Sequence, residues 1–335
     1  EYAVDVSWEV ADKTNIGLDM RLLNNKLSLQ VDLFKESREG IYLRRKSIPS
    51  YFGMINNPYG NIGKVENKGI EVALNYANTW GDWSLSVMGN YSFNRNKVLE
   101  DDSTAAYPWQ STIGNKVGQR FGLVALGLFE SKEEIAASPV QTGDTRPGDI
   151  KYKDINGDGL INEYDEVPIG WGNVPEIIYG VGFSVGWKNL SLTAMFQGAA
   201  HVDAMLSGEG VLPFAQGSGR GNLLSNITDR WTEQNPRQDA FYPRLSIGTI
   251  NMNYEKSTWW LKNTSYLRLK NVELSYTLPD RWMKHIRLEN ARIFIQGVNL
   301  LTFSPFDIWD VELGDGRGAA YPNISSASLG LSFNF

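Results

Sequence analysis

Cysteine is absent from the 335-residue chain, which excludes disulfides and thiolate metal ligands. Histidine occurs only at His201 and His285. The two lie far apart in sequence, and both read as solvated or structural side chains. No stretch approaches the roughly 18 consecutive apolar residues of a membrane-spanning helix, an absence that leaves alternating strands open. The net charge of −6 comes without a basic block, so nucleic acid is not an expected partner. There is no nucleophile elbow, no phosphate-cradling glycine motif and no His-rich metal pattern. The scattered carboxylates select no acid–base pair, and the chain reads as a non-enzyme. Glu1 is not an initiator methionine and no signal peptide precedes it, so a processed or truncated chain is expected.

What the sequence has is alternation. "NIGLDMRL" places Ile16, Leu18, Met20 and Leu22 on one face, and "LSLQVDLF" does the same with Leu27, Leu29, Val31 and Leu33. "GIEVALNYA", "WSLSVMGNYSF" and "YGVGFSVGW" repeat the pattern, and Leu190, Leu192, Ala194 and Phe196 follow it. So do "VELSYTL", "ARIFIQG" and the terminal "SASLGLSFNF". A period of two in β-branched and aromatic residues predicts strands, about nine of them, with two more conceivable within 104–130. No charge interrupts these apolar faces, whereas the opposite face reads Ser84, Ser86, Asn90, Ser92, Gly180, Gly182 and Ser184. A solvated sheet would carry Lys, Glu and Thr outward. Lipid demands charge-free faces, since Lys or Arg at a bilayer midplane costs about 2–4 kcal/mol.

Short connections at 23–26, 78–82, 188–189 and 279–290 alternate with long ones at about 35–68, 94–176, 198–265 and 298–325. This is the pattern of tight periplasmic turns and large extracellular loops. The expected fold class is therefore all-β, an antiparallel transmembrane β-barrel in the outer membrane with a periplasmic C-terminus. An open barrel edge would expose about five unpaired backbone groups per strand, each costing several kcal/mol in hydrocarbon. Further strands from elsewhere are thus expected to complete the cylinder.

One motif carries chemistry. "DINGDGLINEYD" has the spacing of an EF-hand loop: Asp154, Asn156 and Asp158 at positions one, three and five, then Gly159 at the sharp turn. Leu160 offers a carbonyl, Asn162 occupies position nine, and Asp165 stands where a bidentate Glu is usual, with Glu166 adjacent. Structural Ca²⁺, or alternatively Mg²⁺, is the expected ligand, and a metal-free Gly-Asp-Asn turn cluster is the competing reading. Trp109, Trp171, Trp231, Trp259 and Trp260 fall in long connections, where they fold the loop on itself, mark an interface or meet a ligand.

Several phrases together resemble the C-terminal half of SusC-like (SusC/RagA) TonB-dependent outer-membrane transporters. They are "TNIGLDMRLLNNKLSLQVDLF", "GKVENKGIEVALNY", "PGDIKYKDINGDGLINEYDEVPIG", "RWTEQNPRQDAFYPRL", "SYLRLKNVELSYTLP" and "ARIFIQGVNLLTF". The resemblance implies the C-terminal portion of a 22-stranded plugged barrel, with the plug domain, TonB box and earlier strands lying outside this chain. It also implies a SusD-like surface lipoprotein, the N-terminal half of the same barrel and the TonB complex as partners, membrane lipids around it, and oligosaccharides or peptides as cargo. A final strand closing on Phe335 resembles an outer-membrane assembly signal. The rival readings are a non-transporting outer-membrane barrel or adhesin and a soluble carbohydrate-binding β-protein.

Overall fold

A computed structural model describes residues 6–214, 221–247, 251–279, 281–283, 289–314 and 316–334. Glu1, His285 and Phe335 lie outside the described residues. Nine long strands form one antiparallel sheet: β1 (Val10–Leu22), β2 (Leu27–Arg44), β3 (Tyr59–Trp80), β4 (Trp83–Glu100), β5 (Ile177–Trp187), β6 (Leu190–Ala200), β7 (Tyr266–Thr277), β8 (Asn290–Phe303) and β9 (Ser326–Asn334). Each pairs with its sequence neighbour, so the sheet is a meander. Tight links join β1 to β2, β3 to β4 and β5 to β6. Leu23, Asn24 and Asn25 all take positive φ in the first, and Gly81 and Lys188 do so in the other two. Left-handed residues match a hairpin to the strands' own twist.

The register explains the alternation. Rows run across the sheet on one face, for example Ile16–Leu33–Ile70–Phe93–Ile177 and Met20–Leu29–Leu74–Gly89–Val181–Phe196. At the hairpin end a row of Trp80, Trp83, Trp187, Leu190, Tyr276 and Ile293 closes the series. The apolar face stays uncovered: Ile16 is 66% exposed, Ile295 58% and Leu329 74%. The sheet is a single layer there, and no second sheet meets these side chains among the described residues.

The hydrophobic core lies instead in the connections. Leu123, Ile150, Tyr152, Trp231, Tyr242, Trp260 and Phe306 pack together from three segments that bridge β4 to β5, β6 to β7 and β8 to β9. Strands β2 and β3 also run beyond their apolar portions, through 35–44 and 59–68. Cross-strand ion pairs such as Lys35–Glu66 (2.7 Å) bind that extension, and charge alternation there hides the strand from a hydrophobic pattern.

The expectation of a closed transmembrane barrel, part of a 22-stranded plugged cylinder, is corrected by this topology. The nine-stranded sheet is open: among the described residues β1 hydrogen-bonds only to β2 and β9 only to β8. Alternation reports which face a residue occupies. It carries no information on whether the first and last strands meet, because the period of two is the same in an open sheet and a closed one. No described helix is long and apolar enough to cross a membrane, which says nothing about strands.

Candidate functional site

The polar face of the sheet holds a cleft of about 580 Å³, where the extended ends of β2, β3 and β4 meet residues 101–119. Asn67 and Asn96 stand side by side there by register, with Asn94, Arg38, Lys116 and Gln119 around them. The Asn96 side-chain oxygen accepts from the Val117 N–H at 2.8 Å. The Asn67 side-chain oxygen is buried without a hydrogen-bond partner among the described residues. An acceptor left unpaired in a cleft is a place for a ligand's N–H or O–H. The lining combines carboxamides and both signs of charge with Ile41, Leu43, Val65 and Val98. The same face is less bland than the Ser/Gly/Asn pattern suggests, since Glu71 and the Glu273–Arg292 pair (2.7 Å) also stand on it.

Three buried ion clusters fix the connections over the sheet. Glu176, 5% exposed, accepts from Arg95 at 3.0 and 2.7 Å, pairs with Lys116 at 3.2 Å and meets the His201 ring nitrogen at 3.1 Å. The His201 ring stacks on Trp171 with centroids 3.9 Å apart. Asp149 accepts from Arg244 at 3.0 and 2.9 Å and from the Asn253 amide at 2.8 Å, tying two long connections together. Arg268 donates to Asp310 at 2.6 Å and to Glu312, and Lys270 reinforces Glu312 at 2.8 Å. Sequence reasoning missed all three clusters. Their partners are separated by tens of residues, and no spacing rule links them.

The EF-hand-like residues fall within one turn-rich loop. Asp154 accepts from the N–H groups of Gly157 (2.7 Å) and Gly159 (2.9 Å), and Asp158 from that of Leu160 (2.8 Å). The Asn156 amide donates to Asp158 at 2.8 Å, and Asn162 caps a short helical turn by accepting from the Tyr164 N–H. Asp165 is fully buried and clasps both ends of the loop, accepting from Ile155 at 2.7 Å and Asn162 at 3.0 Å. Among the described residues no group of three or more His, Cys, Asp or Glu side chains is arranged to hold a metal. The expected ligand set contains three carboxylates, Asp154, Asp158 and Asp165, and the structure does not bring these three together as such a group.

The loop tryptophans fold the connections on themselves. Trp231 and Trp260 are core residues, and the Trp260 indole donates to the Asn253 carbonyl at 2.7 Å. The Trp109 indole donates to the Tyr164 carbonyl at 2.9 Å and Trp259 to that of Phe241 at 3.2 Å.

A meandering sheet with one uncovered apolar face, a polar face and large folded connections defines a class of two-faced antiparallel β-protein. Comparison with known proteins gives the family. The family model described as "TonB dependent receptor-like, beta-barrel" matches residues 2–300, and the chain belongs to that family. It is 27% identical to TonB-dependent receptor P3 of Formosa agariphila, over 99% of this chain and 34% of that protein. It is 21% identical to TonB-dependent receptor SusC of Bacteroides thetaiotaomicron, over 99% of this chain and 32% of that protein. Among solved structures it resembles the RagAB peptide transporter with a TM-score of 0.75 and 24% identity, over 99% of this chain and 36% of that one. The chain thus spans about a third of the length of these relatives. Membership in the family supports an outer-membrane location.

Proposed function

We propose that this chain works in TonB-dependent import across the outer membrane, moving oligosaccharides or oligopeptides handed over by a SusD-like surface lipoprotein. The observation that carries the reading is the two-faced sheet, apolar and uncovered on one side and cleft-bearing on the other. On β3 the apolar rows run from Ile70 to Trp80. Ten residue-to-residue steps at about 3.4 Å each, tilted by about 40°, give a band near 26 Å, close to the height of lipid-facing bands in outer-membrane strands. Acyl chains would cover that face. The N-terminal part of the same protein would be a partner of this chain, because the backbone groups along the edges of β1 and β9 are too costly to leave bare in lipid. The tight turns and the C-terminus would face the periplasm, with the long connections outside. TonB would act through a plug contributed by that same N-terminal part.

The test is fractionation followed by growth. The protein is expected in the detergent-extracted outer membrane, and deleting its gene is expected to abolish growth on one class of oligosaccharide or peptide, as deletion of tonB does. Recovery in the soluble fraction overturns the reading.

Within this reading Ca²⁺, or Mg²⁺ in its place, stiffens the loop through Asp154, Asn156, Asp158, Leu160, Asn162 and Asp165, because hard cations take six to eight oxygens from such alternating donors. Millimolar Ca²⁺ is expected to slow proteolysis within 154–165, and Asp158→Asn to weaken that protection about tenfold. Cleavage indifferent to Ca²⁺ and to chelator overturns the metal.

A further inference from the structure

The apolar face has a cationic border at the end nearer the long connections. One pleat beyond the row Ile16–Leu33–Ile70–Phe93, the same face carries Thr14, Lys35, Lys68 and Arg95 in direct cross-strand register. Neighbouring strands lie about 4.8 Å apart, so the three cations span roughly 10 Å. The Lys35 and Lys68 side chains are 59% and 65% exposed. Glu66 stands by both, at 2.7 Å from Lys35 and 3.6 Å from Lys68. One carboxylate between two ammonium groups leaves the pair net positive, whereas Arg95 is matched by Glu176. The opposite border differs: Trp80, Trp83 and Trp187 line it, and Lys188 there faces a single Asp82 at 3.6 Å.

We propose that Lys35 and Lys68 bind the phosphate of an anionic lipid headgroup whose acyl chains lie on Ile16, Leu33 and Ile70. This rests on the reading that the apolar face touches lipid. An amphiphile matches the surface in both respects, its charge meeting the cationic row and its tail the apolar row directly below. Lysine ammonium groups on flexible stems serve phosphate as mobile point charges. Glu66 marks the position of a bridging anion, which a phosphate with its several acceptor oxygens would share with it or take over.

The test is native mass spectrometry of the detergent-purified, delipidated protein with phosphatidylglycerol or phosphatidylcholine added back. Phosphatidylglycerol is expected to be retained preferentially, with apparent affinity falling about fivefold for each lysine removed in Lys35→Gln and Lys68→Gln. Lys188→Gln is expected to change nothing, and Glu66→Gln to raise retention by removing the competing anion. Equal retention of the two lipids, or indifference to the lysine variants, overturns the site. If the lysine variants fail to fold, unchanged or lowered retention in Glu66→Gln overturns it instead. Competition by inorganic phosphate at equal concentration would mark a free-anion site and overturn the lipid assignment. A protein that stays monodisperse without detergent defeats the lipid-facing reading itself. One that needs detergent yet ignores these lysines defeats only this inference.

Discussion

Gly69 lies where β3 passes against Phe34 of β2 and the backbone of β4. A Cβ placed there would meet the Phe93 carbonyl oxygen at 2.1 Å and the Phe34 ring at 2.6 Å. The ring can turn, but a carbonyl engaged in the sheet cannot move without breaking the ladder. Gly69→Ala is therefore expected to destabilise by about 1–3 kcal/mol, the usual cost of overpacking. Gly89 makes the comparison, since its added Cβ would find nothing nearer than the Gly180 carbonyl oxygen at 3.9 Å. Gly89→Ala is expected to be neutral or slightly stabilising, because strand glycine loses more entropy on folding than alanine. Urea unfolding of the two variants checks the pair, and equal midpoints would contradict the steric account. Residue identity alone separates neither glycine from the other. The same limit applies to Asp165: its place in the EF-hand spacing was legible, but its use as a clasp on the backbone depends on three N–H groups that only the folded loop brings together.

At the scale of elements, the connection between β8 and β9 is held to the sheet by charge. Arg268 and Asp310 are 5% and 7% exposed at their side chains, and removing Asp310 leaves Arg268 to share the Glu312 carboxylate with Lys270. Asp310→Ala is expected to cost about 1–3 kcal/mol, read as early proteolysis within 304–325. Burial pushes the Asp310 carboxyl up, but the Arg268 guanidinium and the N–H groups of Glu312 and Asn323 outweigh it and hold it below its usual 3.8. A carboxyl with a lower pKa folded than unfolded contributes its stability above the unfolded value and loses it as pH falls through the folded one. The connection should stay docked from neutral pH down to about pH 4 and release below that, with Asp310→Ala undocked throughout. Protection in the wild type that is flat through this window would contradict the assignment. None of this was legible beforehand, although the strands were. Alternation finds β5 or β9 because each face is chemically uniform. It passes over 35–44, where charges occupy both faces, and over the loop core, whose Trp231, Tyr242 and Trp260 meet only through long-range packing.

For the whole molecule, the question is what touches the uncovered apolar face, and depth distinguishes the answers. The faces were readable from the sequence, and the open edges were not, because edge pairing is a property of the assembled sheet. Val181 lies near the middle of the apolar band, in the row of Leu74 and Phe196, and is 49% exposed. Leu190 lies in the Trp80–Trp83–Trp187 row at the border and is 40% exposed. In water both positions are surface sites, and arginine would cost little at either. Against a protein partner the penalty would follow local packing. Against acyl chains it follows depth: about 2–4 kcal/mol for arginine at the midplane and about 0–1 near the interface. Val181→Arg is therefore expected to impair folding into bilayers strongly and Leu190→Arg weakly, as read by urea titration of the protein in vesicles. A shorter acyl chain should narrow the gap, because a thinner bilayer brings Val181 nearer to water. Equal costs at the two positions, or a gap insensitive to bilayer thickness, would mean that the apolar face is covered by something other than lipid.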